Sequence, residues 1–143
     1  MSAKETAERL RGVPLFKDCS DRQLRHIASK GHETMFAAGK TITEQGKPGD
    51  HFYVILEGSA RVLRNGRKVN ALGPGSYFGE IALLVSLLER TPRTATVVAE
   101  TDVRCFVLAK SEFRTVIYER DIAVNLLHTM ARRLDAATKG SEF

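Results

Sequence analysis

The sequence has no tryptophan, only two cysteines and no long apolar run. No unbroken apolar stretch exceeds five residues, as at 81–85, whereas a membrane-spanning helix needs about 20. The first residues are polar and lack the apolar core of a signal peptide. These absences argue against a membrane span and a secreted protein, so we expect a cytoplasmic one.

Metal-binding and catalytic patterns are also missing. Cys19 and Cys105 lie far apart and match no metal or redox spacing, so we predict two free thiols. The four histidines are isolated from one another, which leaves no metal-ligand set. The serine-centred motif of esterases is absent as well. We therefore expect no metal, no cofactor, no catalytic residue and no enzyme activity.

The charge balance is basic, with 22 Lys and Arg against 17 Asp and Glu and a net charge of +5. Such a balance favours an anionic partner, whether nucleic acid, a membrane surface or a phosphorylated small molecule. The one basic cluster consists of Arg61, Arg64, Arg67 and Lys68. It surrounds a predicted Asn65-Gly66 turn, so we interpret it as a solvated hairpin tip.

Nine of the eleven glycines lie between Gly31 and Gly79. Turn signals in this part, among them Asn65-Gly66, separate short β-prone runs of even spacing. The predicted strands are residues 52–56, 60–63, 68–72, 94–98 and 103–108. Short strands in this arrangement indicate an antiparallel barrel or jelly roll.

Helices are predicted on both sides of these strands. Ser2 and Ser20 each begin a capping box, and the second helix ends at Gly31. Its apolar face comprises Leu24, Ile27 and Ala28. Residues 111–118 form a short helix, and a longer one begins at Asp121. The stripe on this last helix comprises Ile122, Leu126, Leu127, Met130, Ala131 and Leu134. The predicted class is α+β, mainly β: an antiparallel β-roll, or jelly-roll-like barrel, with N-terminal helices and two C-terminal helices.

The segment 73–97 combines three residue types that suit a sugar phosphate. Gly79 permits close approach of the backbone to a ligand and precedes a helix-prone stretch, whose free N–H groups attract anions. Arg93 offers a planar guanidinium that can bind two phosphate oxygens. Glu80 would repel phosphate, so we interpret it as an acceptor for a sugar hydroxyl. Together the three predict a ribose-phosphate pocket.

Residues 78–83 (Phe-Gly-Glu-Ile-Ala-Leu) and 92–97 (Pro-Arg-Thr-Ala-Thr-Val) resemble the phosphate-binding cassette of the cyclic nucleotide-binding domain family. That family includes the catabolite activator protein, protein kinase A regulatory subunits and cyclic-nucleotide-gated channels. The resemblance extends over about residues 10–135 and implies one such domain at 1–139. Residues 140–143 are Gly-Ser-Glu-Phe, the amino acids that two common cloning-site hexamers encode. We expect them to be a cloning scar.

The resemblance implies a role for each residue of the pocket. The implied ligand-binding positions are Val62, Val69, Gly79, Glu80, Ile81, Ala82, Arg93 and Thr94. Glu80 would bind the ribose 2′-hydroxyl, and Arg93 the cyclic phosphate. The backbone amides of Ile81 and Ala82 would assist at the helix start, and Thr94 would lie near the phosphate and the purine.

Two apolar surfaces around the base are also implied. Val62 and Val69 match strand positions that form an apolar wall beneath the base. The alternative, compatible with this role, is that both valines face the core of the barrel. The C-terminal helix would close over the purine as a lid. Its covering side chain would be Arg132 or Arg133, or the apolar Leu134. For the two arginines, the alternative is a solvated helix end.

The spacing of the cassette departs from the family pattern. Glu80 and Arg93 are thirteen positions apart, longer than usual by about one helical turn of 3.6 residues. The extra residues lie at 85–91, which makes Arg90 an alternative to Arg93. We favour Arg93, because Pro92 before it and the residues after it carry the family pattern.

The resemblance implies a regulatory sensor that binds a cyclic nucleotide and couples binding to movement of the C-terminal helix. The first candidate for this nucleotide is cAMP. The alternatives are a domain that prefers cGMP, or a structural or interaction domain of the same fold that binds no nucleotide. The effector, a protein or another domain, is not evident from the sequence. Few residues follow Leu134, so we expect no helix-turn-helix and no direct DNA binding.

Overall fold

The computed structural model describes residues 2–13, 16–17, 19–47, 51–79 and 95–117, together with 123–124, 127–128 and 131–132. The helices in this part are α1 (Ala3–Arg11), α2 (Asp21–Lys30) and α3 (Lys110–Ile117). The strands are β1 (His32–Phe36), β2 (Thr41–Thr43), β3 (His51–Glu57), β4 (Ala60–Arg64), β5 (Arg67–Leu72), β6 (Tyr77–Phe78), β7 (Thr96–Ala99) and β8 (Val103–Ala109). The six described positions after α3 are helical too.

The strands form two open antiparallel sheets of four. Their orders are β1-β8-β3-β6 and β2-β7-β4-β5. In the described residues, β6 is therefore an edge strand of the first sheet and β5 an edge strand of the second. The predicted class is confirmed: the fold is mainly β, with antiparallel strands preceded and followed by helices.

The elements pack in three layers: the helices, the first sheet and the second sheet. The core between the sheets consists of Ile55, Ala60, Phe78, Val97, Ala99, Val103, Cys105 and Val107. The core between the helices and the first sheet includes Leu10, Leu24, Ile27, Phe52, Phe106, Leu108 and Phe113. Side chains of β8 alternate between the two cores, and this explains why residues 105–109 read as an unbroken apolar run.

Cys19 and Cys105 form no disulfide, which agrees with the two predicted thiols, and both side chains are buried. Cys105 has no exposed surface. Burial raises the pKa of its thiol from the ordinary value of 9.0 to about 12, because the thiolate would lose its hydration in the core. Cys105 is therefore a protonated, apolar part of the core at neutral pH.

Both ends of α2 agree with the prediction. The helix ends at Lys30, directly before Gly31, and begins with a capping box. The Ser20 hydroxyl accepts a hydrogen bond from the Gln23 amide (3.2 Å), and Gln23 Oε1 accepts one from the Ser20 amide (2.8 Å). This reciprocal pair is the predicted capping box. At the start of α1, the Ser2 hydroxyl accepts from the Glu5 amide (3.2 Å).

Three strands were not predicted: β1, β2 and β6. The first is mostly polar and only partly covered, with His32 and Met35 at its exposed positions, and the other two have three and two residues. Each is defined by its pairing with a distant strand, so the local sequence carries little sign of it. The predicted strand 94–98 is Thr96–Ala99 in the structure, because the chain bends at Ala95.

Candidate functional site

A four-residue turn fixes how the chain enters β6. The Ser76 amide donates to the Gly73 carbonyl (2.9 Å), with Pro74 second and Gly75 third at φ +89°. This is a type II turn, which favours proline and glycine at those positions. The Gly75 amide donates to the Ile55 carbonyl, and the Ile55 amide donates to the Ser76 carbonyl, both at 2.8 Å. The turn is thus attached to the middle of β3.

The strand β6 is followed by a glycine whose backbone conformation is unfavourable for other residues. Phe78 lies opposite Tyr53 in register, and their rings stack with centroids 4.8 Å apart. Gly79 follows at φ +91°, a left-handed conformation that side chains disfavour. Gly79 is the last residue described before a gap. The predicted site residues that lie outside the described part are Glu80, Ile81, Ala82, Arg93 and Thr94, together with the alternative Arg90.

The described chain resumes at Ala95 and enters the opposite sheet. There β7 lies between β2 and β4. Val97 pairs with Val62 of β4, and the Thr96 hydroxyl accepts a hydrogen bond from the Gln45 amide (2.9 Å). Segment 80–94 therefore connects an edge strand of one sheet to an inner strand of the other, and β7 is paired on both sides.

The two valines of the predicted wall have different surroundings. Val62 is half-buried and packs against the core between the sheets, whereas Val69 is 52% exposed. The register shifts from Val62 opposite Asn70 to Leu63 opposite Lys68, so Val69 is the extra residue of a β-bulge. The core-facing alternative is right for Val62 and wrong for Val69, which lies at the bulge of an edge strand whose residues 67–71 are all exposed.

The hairpin between β4 and β5 has the predicted turn. Asn65 and Gly66 have φ values of +53° and +79°, the two left-handed positions of a type I′ turn. Arg64 lies opposite Arg67 across this turn, and both are exposed. The interpretation of the basic cluster as a solvated hairpin tip is confirmed for these two residues.

One residue with several contacts near the site was not predicted. Gln45 accepts a hydrogen bond at Oε1 from the Asn65 amide (2.8 Å) and donates from Nε2 to Asn65 Oδ1 (2.9 Å). With its backbone bond to Thr96, Gln45 contacts both the hairpin tip and the start of β7. The local sequence shows no sign of these contacts, since the partners of Gln45 are 20 and 51 positions away.

The comparison with known families decides the assignment. The family model described as "Cyclic nucleotide-binding domain" matches residues 33–120, which include all strands except a part of the first. The chain belongs to the cyclic nucleotide-binding domain family.

Similar members of the family are regulatory proteins. A cAMP-dependent protein kinase regulatory subunit from Eremothecium gossypii is 31% identical over 132 residues, which are 87% of this chain and 28% of that protein. The catabolite activator protein of Thermus thermophilus is 30% identical, with a TM-score of 0.81 over 90% of this chain and 62% of that one. The regulatory domain of Toxoplasma gondii PKA, solved with cAMP, is 26% identical, with a TM-score of 0.77 over 92% of this chain and 50% of that one.

The described positions of the C-terminal helix are largely exposed in this cyclic nucleotide-binding domain. Leu127, which belongs to the predicted apolar stripe, is 64% exposed, and Val124 is 40% exposed. Of the lid candidates, Arg132 is helical and exposed, whereas Arg133 and Leu134 lie outside the described residues. The described part of this helix thus presents apolar side chains that have little cover.

The described residues include neither a metal-ligand cluster nor a helix that could span a membrane. No group of three or more His, Cys, Asp or Glu side chains there could hold a metal ion. No helix in the same part of the chain combines the length and the apolar character needed to cross a membrane.

Proposed function

We propose that this cyclic nucleotide-binding domain is a sensor for cAMP, and that binding moves its C-terminal helix. Family membership over residues 33–120 is the observation that carries the proposal. The ligand follows from the relatives: one is named as a cAMP-dependent kinase subunit, and another was solved with cAMP. An effector, either a protein or another domain, would then respond to the helix.

The phosphate would bind between Gly79 and the start of β7. Arg93 is the residue for the cyclic phosphate, because its guanidinium can donate to two oxygens at once. Arg93 is three positions before Thr96, and a chain spans at most about 3.6 Å per residue, so Arg93 stays close to the start of β7. The backbone amides of Ile81 and Ala82 would supply further donors.

The ribose of cAMP lies between the cyclic phosphate and the base, so the sugar and the base would extend away from the phosphate site. Glu80 would accept a hydrogen bond from the ribose 2′-hydroxyl, and Thr94 would lie near the phosphate and the purine. The flat base would rest on the apolar wall of Val62 and Val69. The 52% exposure of Val69 supports this, because its side chain is available to a partner outside the core. Arg132, Arg133 or Leu134 would cover the other face of the base.

A calorimetric titration with cAMP and cGMP tests the proposal. We expect cAMP to bind, and Arg93→Ala to weaken it by about 30- to 4,000-fold, as loss of one partner of a buried charge pair costs about 2–5 kcal/mol. Circular dichroism should show an unchanged fold. The matched control is Arg90→Ala, which removes a nearby arginine and should leave the affinity close to that of wild type.

The outcomes separate the alternatives. A wild-type protein that binds neither nucleotide would overturn the sensor function. Tighter binding of cGMP would keep the function and change the ligand. If Arg90→Ala were the damaging substitution and Arg93→Ala were neutral, the phosphate role would belong to Arg90.

A further inference from the structure

We propose that Gln45 is a positioning residue of the nucleotide site: it holds the apolar wall at a fixed separation from the strand that leads out of the phosphate-binding segment. The inference rests on the proposed function, since it assigns the wall to the base and Arg93 to the phosphate. It concerns a residue that contacts no ligand in that arrangement and acts through Asn65 and Thr96.

The turn after β2 places Gln45 beside the hairpin. The Lys47 amide donates to the Glu44 carbonyl (3.2 Å), and Gly46 has φ +85°. Glycine at the third position and a left-handed φ define a type II turn, with Gln45 second. The backbone at Gln45 is thereby set by local chemistry, independently of the hairpin it contacts.

The side chain of Gln45 binds two polar groups of Asn65. Its Oε1 accepts from the Asn65 amide at 2.8 Å, and its Nε2 donates to Asn65 Oδ1 at 2.9 Å. A primary amide is needed for this, because it offers an acceptor and a donor side by side. The two bonds fix the tip of the hairpin that carries Val62 and Val69.

The backbone of Gln45 binds the other half of the site. Its amide donates to the Thr96 hydroxyl at 2.9 Å, and Thr96 is the first residue of β7. The ladder between β4 and β7 ends at Leu63 opposite Thr96, so the hairpin tip beyond it has no pairing partner in β7. Gln45 supplies the connection there, and one residue thus links the tip to β7.

The test compares two ligands that share the phosphate and the ribose. cAMP uses both sides of the site, whereas ribose 3′,5′-cyclic phosphate has no base and does not use the wall. For Gln45→Ala we expect cAMP affinity to fall by about 10-fold, the effect of one to two hydrogen bonds. The affinity for the base-free ligand should change by less than about 2-fold, as it would for a weak surface effect. Both are measured by calorimetry, with competition for the weaker ligand.

The matched control is Thr101→Val at the opposite end of the same strands. The Thr101 hydroxyl accepts from the Ser59 amide (3.0 Å) and so joins the turn before β4 to the turn after β7. This hydrogen bond also joins two segments of the same sheet, but it lies away from the tip of the β4–β5 hairpin. We expect Thr101→Val to bind both ligands as wild type does.

A second variant keeps the test independent of folding. Gln45→Met keeps the length of the side chain but lacks the amide group, so both hydrogen bonds to Asn65 are lost, and we expect the same selective loss of cAMP affinity. Hydrogen exchange without ligand should show a faster Asn65 amide in Gln45→Met and an unchanged one in Thr101→Val.

The possible results are distinguishable. Equal losses for the two ligands would mean a general structural role and would overturn the inference, as would wild-type affinity for both. A wild-type protein that binds neither ligand would instead overturn the proposed function itself. Unchanged exchange at Asn65 would show that Gln45 does not hold the hairpin tip.

Discussion

Cys105 is a single side chain that limits the pH range of the fold. It lies without exposed surface in β8, where burial raises the pKa of its thiol from 9.0 to about 12. Above pH 9 the unfolded chain loses this proton while the native protein keeps it. Because the unfolded state then binds fewer protons, the free energy of unfolding falls as pH rises, up to about pH 12.

This sign gives a testable prediction. Between pH 9 and pH 11, Cys105 should reduce the free energy of unfolding by about 1.4 kcal/mol per pH unit. Cys105→Ala should remove this part of the slope, although its small cavity lowers stability at every pH. Urea denaturation at a series of pH values measures both effects. Val103→Ala, a neighbouring buried position of the same strand, is the control that should keep the slope; equal slopes in all three proteins would contradict the assignment.

At the scale of residues, the sequence predicted what depends on adjacent positions. Asn65-Gly66 adopts its turn because both residues tolerate positive φ. Gln45 was missed as a functional residue because its hydrogen bonds join segments 20 and 51 positions apart. Val69 lies at a bulge in an exposed edge strand, and the local sequence shows neither the bulge nor the edge position. The roles of Glu80 and Arg93 remain predictions from the resemblance.

Among the elements, α2 could be predicted from its local sequence, whereas β6 could not. The capping box at Ser20 spans four residues and is readable without tertiary information. The two residues of β6 form a strand only because they pair with Tyr53 and Val54. The capping box can thus be predicted from the local sequence, whereas the pairing that defines β6 cannot.

The junction of α2 and β1 gives a prediction about packing between layers. A Cβ on Gly31 would lie 2.5 Å from Phe106 Cζ and 2.6 Å from the Val107 carbonyl oxygen. Gly31→Ala must therefore displace the helix from the sheet, and we expect a loss of about 1–3 kcal/mol in the free energy of unfolding. Gly73→Ala is the control, as a Cβ there meets nothing within 4 Å. Equal stability of the two variants in urea would show that this contact relaxes without cost.

At the scale of the whole molecule, β8 connects the helical layer to the core between the sheets, since its side chains enter both. The proposed response to ligand involves the C-terminal helix, in which Leu127 is 64% exposed. An exposed apolar residue can gain a contact when the helix closes. Closure is a shift between two packings, and ligand would favour the closed one.

Hydrogen exchange tests this shift directly. Amides of residues 122–133 should gain protection when cAMP is added, because closure stabilises the helix. Amides in the middle of β3, where residues 54–56 are buried, provide the internal control. An unchanged pattern in 122–133, with cAMP bound by calorimetry, would mean that the helix does not respond to the ligand.

The edge strand β5 has a consequence for self-association. An exposed apolar residue on a sheet edge is a site where a second copy could add a strand. Here the bulge at Val69 interrupts regular pairing, and the Asn70 side chain accepts a hydrogen bond from the Ala71 amide (2.8 Å). Arg67 and Lys68 on the same strand repel an identical edge. The domain can therefore keep Val69 accessible to a small planar ligand while resisting edge-to-edge aggregation at high concentration.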